Sequence, residues 1–460
     1  MTVPCRFSDD RSHRPVAGLA AGLILCLPLV SACSSIPFIG SQSEAQRAQE
    51  AAEPAGSVAM VLGDEEIEAS PDLAGETITL PPAQPSAEWA QTGASASKVV
   101  GHLQGVERLR VAWRADAGRG SDNKSALTCA PVAAGGVVYT LDAGQTVRAF
   151  EVASGDRVWS RDIESGNRRD RIGIGGCLGV SDGRLIVTSG YSLVLALDAS
   201  TGTEIWRRDM DAPMTGAPTF KDGRVFVTSN NNEVFAMDDV TGRIEWSDQA
   251  IAEPARVLGS SSPAAVEDIV VVPYSSGEVI AYLASNGRRL WTDALSRPGR
   301  FTPISAINDI AARPVLASGL VFAANQSGVT AAIDGRTGNR VWVQPIGSTQ
   351  APALVGDVMF MSSTDGKLAA LQADTGEVYW VTDLPRFRKP EDQKGRISYT
   401  GPLVVSGRVM ILSSEGDLLV FDPQTGAQTD TLEVADEVFL EPILVDGKLI
   451  VLTDDARLVA

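Results

Sequence analysis

From about residue 105 onward, apolar positions alternate with polar ones in short runs, and turn residues break the runs at regular intervals. Residues 217–238, "APTFKDGRVFVTSNNNEVFAMD", are typical. The two-residue period puts successive side chains on opposite faces of a strand, and the Asp-Gly and Asn-rich pairs are hairpin signals. The stretch therefore predicts strand, tight turn, strand, turn, strand. "GVSDGRLIVTSGYSLVLALD", "LVGDVMFMSSTDGKLAALQ" and "LVVSGRVMILSSEGDLLVFD" repeat the design. A Thr-Gly pair then leads into a fourth strand carrying a tryptophan. Each unit predicts a four-stranded antiparallel meander.

Aligned on that last element, the units form an array. "VASGDRVW" ends at Trp159, "ASTGTEIW" at Trp206, "DVTGRIEW" at Trp246, "ASNGRRLW" at Trp291, "GRTGNRVW" at Trp342 and "ADTGEVYW" at Trp380. "PQTGAQTD" fills the same slot with Asp430. Spacings of 38 to 51 residues suit one blade of four strands. The final unit, "EPILVDGKLIVLTDDARLVA", stops after three strands, and "RLRVAWRAD" (108–116) is a fourth strand with nothing before it. Trp113 stands where that unit's tryptophan belongs. The fold class that follows is all-β: an eight-bladed β-propeller of four-stranded antiparallel blades. The N-terminal strand joins the C-terminal blade and closes the ring, so no end edge is left open.

Blades press on both neighbours, so their sheets are apolar on both faces. A tryptophan on each outer strand can lie against the next blade, bury about 150–250 Å² and donate its indole N–H to a carbonyl. Trp113, Trp159, Trp206, Trp246, Trp291, Trp342 and Trp380 are thus expected to dock blade to blade. The glycine four residues earlier permits the turn, and the preceding Asp (Asp198, Asp238, Asp334, Asp422) can accept from turn amides. Asp430 has no such account.

The N-terminal fifth has a different texture. Arg6, Arg11 and Arg14 precede "VAGLAAGLILCLPLV", a run too short to span a membrane comfortably and followed by "LVSAC". That ending resembles the lipobox of bacterial lipoproteins. The resemblance implies removal of residues 1–32, acylation of Cys33 (a palmitate-type lipid anchor) and an outer-membrane address facing the periplasm. Residues 33–88, rich in Ala, Glu, Pro and Gln, hold too little apolar mass to offset ordering entropy and predict a disordered acidic tether. The propeller then runs over 89–460. Net charge is -18, a surface that repels nucleic acid.

The repeat resembles the PQQ-like β-propeller repeat. Eight copies behind a lipobox and tether, with the lead-in "EWAQTGASASKVVGHL" (88–103), resemble the BamB family of outer-membrane assembly lipoproteins. The resemblance implies a non-enzymatic scaffold of the BAM complex that binds the POTRA domains of the BamA insertase and aids barrel-protein assembly and insertion. Unfolded outer-membrane protein segments would be further partners, by strand addition at blade rims. The family's partner-facing patch falls on connectors into the middle blades. In "EPARVLGSSSP" it implies Arg256, Val257 and Leu258, and in "AINDIAARP" it implies Asn308, Asp309 and Ile310. Ala311 departs from the family by standing where a second acid is common.

Two rival readings are a periplasmic ligand-binding or sensor propeller and a PQQ-dependent dehydrogenase built on the same repeat. The dehydrogenase needs calcium held by carboxylates and usually adjacent cysteines, and no Cys-Cys pair exists here. The two histidines, His13 and His102, lie before the ring, which leaves little for His-based catalysis. No cofactor or metal is expected. Cys129 and Cys177 hold the same slot in consecutive units. They are either two buried thiols or, if the inner strands come within about 7 Å, a disulfide. Arg386, Arg388, Lys389, Lys394 and Arg396 form a basic cluster on an acidic chain. It is either a solvated loop or a site for an acidic partner.

Overall fold

Alternation and turn chemistry become strands where expected. The computed structural model describes residues 66–105, 108–165, 173–251, 261–295 and 309–460, all within the unit Leu62–Ala460. Blade three shows the pattern. Its strands run inside to outside as Thr219–Lys221, Arg224–Thr228, Glu233–Asp238 and Ile244–Gln249. Asp222 and Gly223 both have positive φ (51° and 74°), which a primed hairpin turn between twisted strands requires. Eight such blades make the ring. The eighth takes Ile443–Val445, Lys448–Leu452 and Arg457–Val459 from one end of the repeats and Arg114–Asp116 from the other, with Ala115 opposite Leu458.

The core lies between blades. Leu193, Leu195 and Leu197 of blade two pack on blade one, while the alternate Val194 and Ala196 pack on blade three. Both faces are buried, so the strand reads "LVLALD" rather than alternating cleanly.

Each of the seven repeat tryptophans docks on the next blade, at the turn between that blade's third and outer strands. The indole N–H donates to a carbonyl there, from 2.7 Å (Trp291 to Gly335) to 3.3 Å (Trp206 to Asp239). The same holds for Trp113, Trp159, Trp246, Trp342 and Trp380. The Thr-Gly glycine of the receiving blade lies flat under the ring. A Cβ on Gly155, Gly202, Gly242, Gly287, Gly338, Gly376 or Gly426 would stand 2.4–2.7 Å from the indole of the preceding blade. The motif's glycine and tryptophan therefore serve different seams: each glycine admits its predecessor's ring. A β-bulge one residue before six of these tryptophans, Trp113 excepted, for instance at Glu245 between the pairs Ala236–Trp246 and Met237–Ile244, bends the outer strand at this point.

Residues 66–88 differ from the expected disordered tether. Ile67 and Ile78 are buried in the seams flanking blade six, at 5% and 3% exposure. Ser70 N donates to Val378 O (2.8 Å), and Ile78 N donates to Gln424 Oε1 (2.9 Å). A segment poor in apolar residues orders here because two isoleucines find preformed grooves. Cys33 and the rest of the tether, residues 33–65, lie outside the described residues.

Residues 84–105 then form a belt across the turn end of the ring. Asp446 N of blade eight donates to Ser86 O, and Trp89 and Ala133 of blade one exchange two main-chain bonds. Val180, Ala265 and Leu316 of blades two, four and five donate to Ala90, Ala96 and Ser97. Phe220 N of blade three donates to Gln91 Oε1. His102–Leu103 adds a parallel fifth strand to blade seven. His102 Nε2 accepts from Gly407 N (2.8 Å), so its Nδ1 carries the proton that goes to Pro81 O (2.6 Å). The histidine is a clamp.

Candidate partner interface

A meander sorts its connections. Turns between first and second strands, and between third and outer strands, sit at the belt end. Turns between second and third strands share the other mouth with the blade-to-blade connectors, and loops on such a rim carry function. The family-implied contact residues belong to two of these connectors. Arg256, Val257, Leu258 and Asn308 lie outside the described residues. Asp309 is 6% exposed, with its carbonyl accepting from Gln326 N (3.2 Å). Ile310 is fully buried among Leu295, Val329 and the blade four–five core, and its N–H donates to Tyr274 O (3.4 Å). The expectation that Ile310 touches a partner is corrected: an aliphatic side chain closing a blade seam anchors the connector instead.

Charged side chains of the belt and of blades five and eight are buried together. Arg313 and Glu441 precede the inner strands of blades five and eight, and their side chains pair at 2.7 Å, each 10% exposed. Lys98 of the belt is 1% exposed, with Nζ 3.5 Å from Gln91 Oε1. Desolvation and the neighbouring Arg313 push its pKa well below the ordinary lysine value, and Glu441 pulls it partly back. Gly93, at φ +74°, leaves room for both cations, since a Cβ would meet Arg313 Nε at 2.7 Å. Composition gave no sign of this cluster. Its signal was one lysine inside the apolar lead-in.

The basic cluster is a hairpin, Phe387–Lys389 with Lys394–Arg396, standing on the same mouth before blade seven. Arg388 is tied inward to Glu415 (2.5 Å) and Glu437 (3.2 Å), and Arg396 donates to Thr364 O. Beside the hairpin lies a cavity of about 690 Å³ lined by Gln326, Ser327, Ser363, Arg386, Arg396 and Tyr399. Among the described residues no group of three or more His, Cys, Asp or Glu is arranged to hold a metal ion.

Cys129 and Cys177 form a disulfide, with Cα atoms 4.8 Å apart. Cys177 lies in the inner strand of blade two and Cys129 just before that of blade one. Inner strands converge on the axis, so neighbouring blades are closest there.

Comparison with known proteins agrees with the repeat. The family model described as outer membrane protein assembly factor BamB matches residues 106–169 and 143–382. BamB of Escherichia coli K12 is 33% identical over 240 residues, covering 52% of this chain and 61% of that protein. BamB of Salmonella typhimurium LT2 is 28% identical over 334 residues, covering 72% and 83%. The matches to the Moranella endobia, Shigella dysenteriae and E. coli proteins span 55% to 61% of those proteins' length. Among solved structures, BamB from Moraxella catarrhalis superposes with TM-score 0.63 at 18% identity, over 76% of this chain and 99% of that one. A europium-containing methanol dehydrogenase superposes with TM-score 0.63 at 14% identity, over 80% and 90%. At those identities the likeness is one of fold. The family match spans more than half of the chain, and the chain belongs to the outer membrane protein assembly factor BamB family.

Proposed function

We propose that this chain is a non-enzymatic scaffold lipoprotein of the outer-membrane β-barrel assembly machinery. It is held to the outer membrane by acylated Cys33, faces the periplasm, and binds the POTRA domains of a BamA-type insertase. The observation that carries this reading is the family match over residues 106–382 of a chain that closes an eight-bladed ring. The geometry supports it in two ways. The blade connectors gather on one mouth, with Ile310 anchoring one of them against the core. Lys98 of the belt is buried beside the Arg313–Glu441 pair, which joins blades five and eight. The contact surface is assigned to Arg256, Val257, Leu258 and Asn308, with Asp309 at its foot. Unfolded barrel segments reach the same protein at its outer strand edges.

The test is a detergent pull-down of the native lipoprotein beside an Arg256→Glu/Leu258→Asp variant with an unchanged melting curve. Insertase recovered with native protein and lost with the variant supports both scaffold and surface. Equal recovery with both moves the surface elsewhere on the ring. No recovery with either removes the scaffold reading and brings forward the sensor and quinoprotein alternatives, for which quinone-plus-calcium binding is the assay.

A further inference from the structure

Seven of the eight seams are closed by the same device, from Trp113 of blade eight on Gly155 of blade one through Trp380 of blade six on Gly426 of blade seven. The seam between blades seven and eight has neither half of it. Asp430 occupies the tryptophan slot, and blade eight takes its outer strand from Arg114–Asp116, so no turn joins its third and outer strands. There is no glycine to lie under a ring.

A second substitution accompanies the first. Two residues beyond the tryptophan, three other seams place a polar side chain that bonds the carbonyl of the turn glycine: Arg208 to Gly242, Gln344 to Gly376 and Thr382 to Gly426. In blade seven that position is Leu432. Leu432 instead forms one wall of an open, mostly apolar cavity of about 310 Å³, with Leu109, Val111 and Leu449 among its apolar lining and Arg108, Arg110, Glu433, Asp446 and Lys448 as its charged lining. Val111 remains 42% exposed at its mouth. The volume sits near the bottom of the range for ligand sites, about 300 Å³, which suits one ring-bearing side chain rather than a cofactor. The outer strand Gln428–Glu433 runs alongside, and an outer blade strand offers its main chain to an extended segment.

We infer that the seam between blades seven and eight is a docking site for an extended polypeptide segment of a partner, which inserts an aromatic side chain where the other seven seams hold their own indole. Barrel precursors supply such segments under the proposed function. The inference rests on that reading only for the source of the segment, not for the chemistry of the seam.

The experiment places the photo-reactive residue benzoylphenylalanine at Val111 in the full-length protein. The probe is the biotinylated peptide Gly-Ser-Ala-Trp-Ala-Tyr-Ala-Trp-Gly-Ser-amide, and the control peptide has leucine at each aromatic position. The aromatic peptide is expected to label about tenfold more than the leucine peptide, equivalent to ~1.4 kcal/mol. Labelling is expected to drop to the control level in Leu432→Glu. Leu432→Trp fills the cavity from within and serves the same purpose if the charged variant melts early. Benzoylphenylalanine at Val343, exposed on blade five beside an intact lock, sets the background. Equal labelling at Val111 and Val343, equal labelling by the two peptides, or cross-linking to the chain itself or a second copy would overturn the inference. Insertase recovery in the pull-down does not depend on this seam, so the two readings fail separately.

Discussion

A glycine in this chain is read correctly only with its neighbour across the seam. Gly242 and Gly223 both sit at positive φ, 67° and 74°, but a Cβ on Gly223 meets nothing within 4 Å, while one on Gly242 meets the Trp206 ring at 2.5 Å. Gly223→Ala is expected to cost about 1 kcal/mol, the strain of a left-handed alanine. Gly242→Ala adds overpacking of an indole and should cost about 2–3 kcal/mol more. Paired chemical melts would show the difference, and equal losses would mean that the ring contact is slack. The turn aspartates carry a pH dependence. Asp198, Asp238 and Asp334 accept from Ser or Thr hydroxyls and amides of their turns, and this holds their pKa values below the ordinary carboxylate value. A depressed folded pKa gives stability that is present above the unfolded value, about 3.9, and lost as pH falls through the folded one. Melting temperature should therefore fall with acid below about pH 4, and the triple Asp→Asn variant should show a flatter acid limb.

Among the elements, the disulfide ties the inner strands of blades one and two across 48 residues of sequence. Loop closure of that length corresponds to about 4 kcal/mol in the denatured chain, lessened by any structure the reduced chain retains. Thiol counting under denaturing, non-reducing conditions should find neither cysteine free, and reduction should lower the melting point. Two free thiols would end the pairing. Trp380 illustrates what one outer strand holds. Its side chain is 7% exposed and bonds Pro423 O at 2.9 Å, so Trp380→Ala is expected to cost about 3–5 kcal/mol. Asp430→Ala, on an exposed strand with no receiving turn, should fall within about 0.5 kcal/mol of native. Guanidinium unfolding of the two variants separates an occupied seam from an empty one.

At the scale of the molecule, the ring is held by two closures. One is the outer strand Arg114–Asp116 on Arg457–Val459. The other is the belt, whose main chain or side chains bond seven blades between Ser86 and Leu103. A chain begun at residue 66 should melt like the full-length protein. A chain begun at residue 108 keeps the strand closure but loses Trp89, 1% exposed, and the buried Lys98 cluster. It should melt well below the longer chain, as followed by circular dichroism. Equal melting temperatures would reduce the belt to decoration.

The sequence by itself determined the blade. Period-two alternation, Asp-Gly turns and the Thr-Gly-to-Trp spacing are local, so they specify a four-stranded meander and its number of copies wherever the chain is read. The unmatched strand at 108–116 determined the closure too, because a three-stranded unit and a lone fourth strand have one economical pairing. What only tertiary structure decided lies between blades. That each glycine belongs to the preceding blade's tryptophan is invisible in a motif whose two residues are four apart on the same strand turn. Ile67 and Ile78 order a segment that looks too polar to fold, because the grooves that receive them are built by residues about 300 positions away. Ile310 reads as a surface residue of a loop and is core, since burial is a property of the assembled seam. Asp430 looks like a lost tryptophan until blade eight is seen to lack the turn that a tryptophan would dock on.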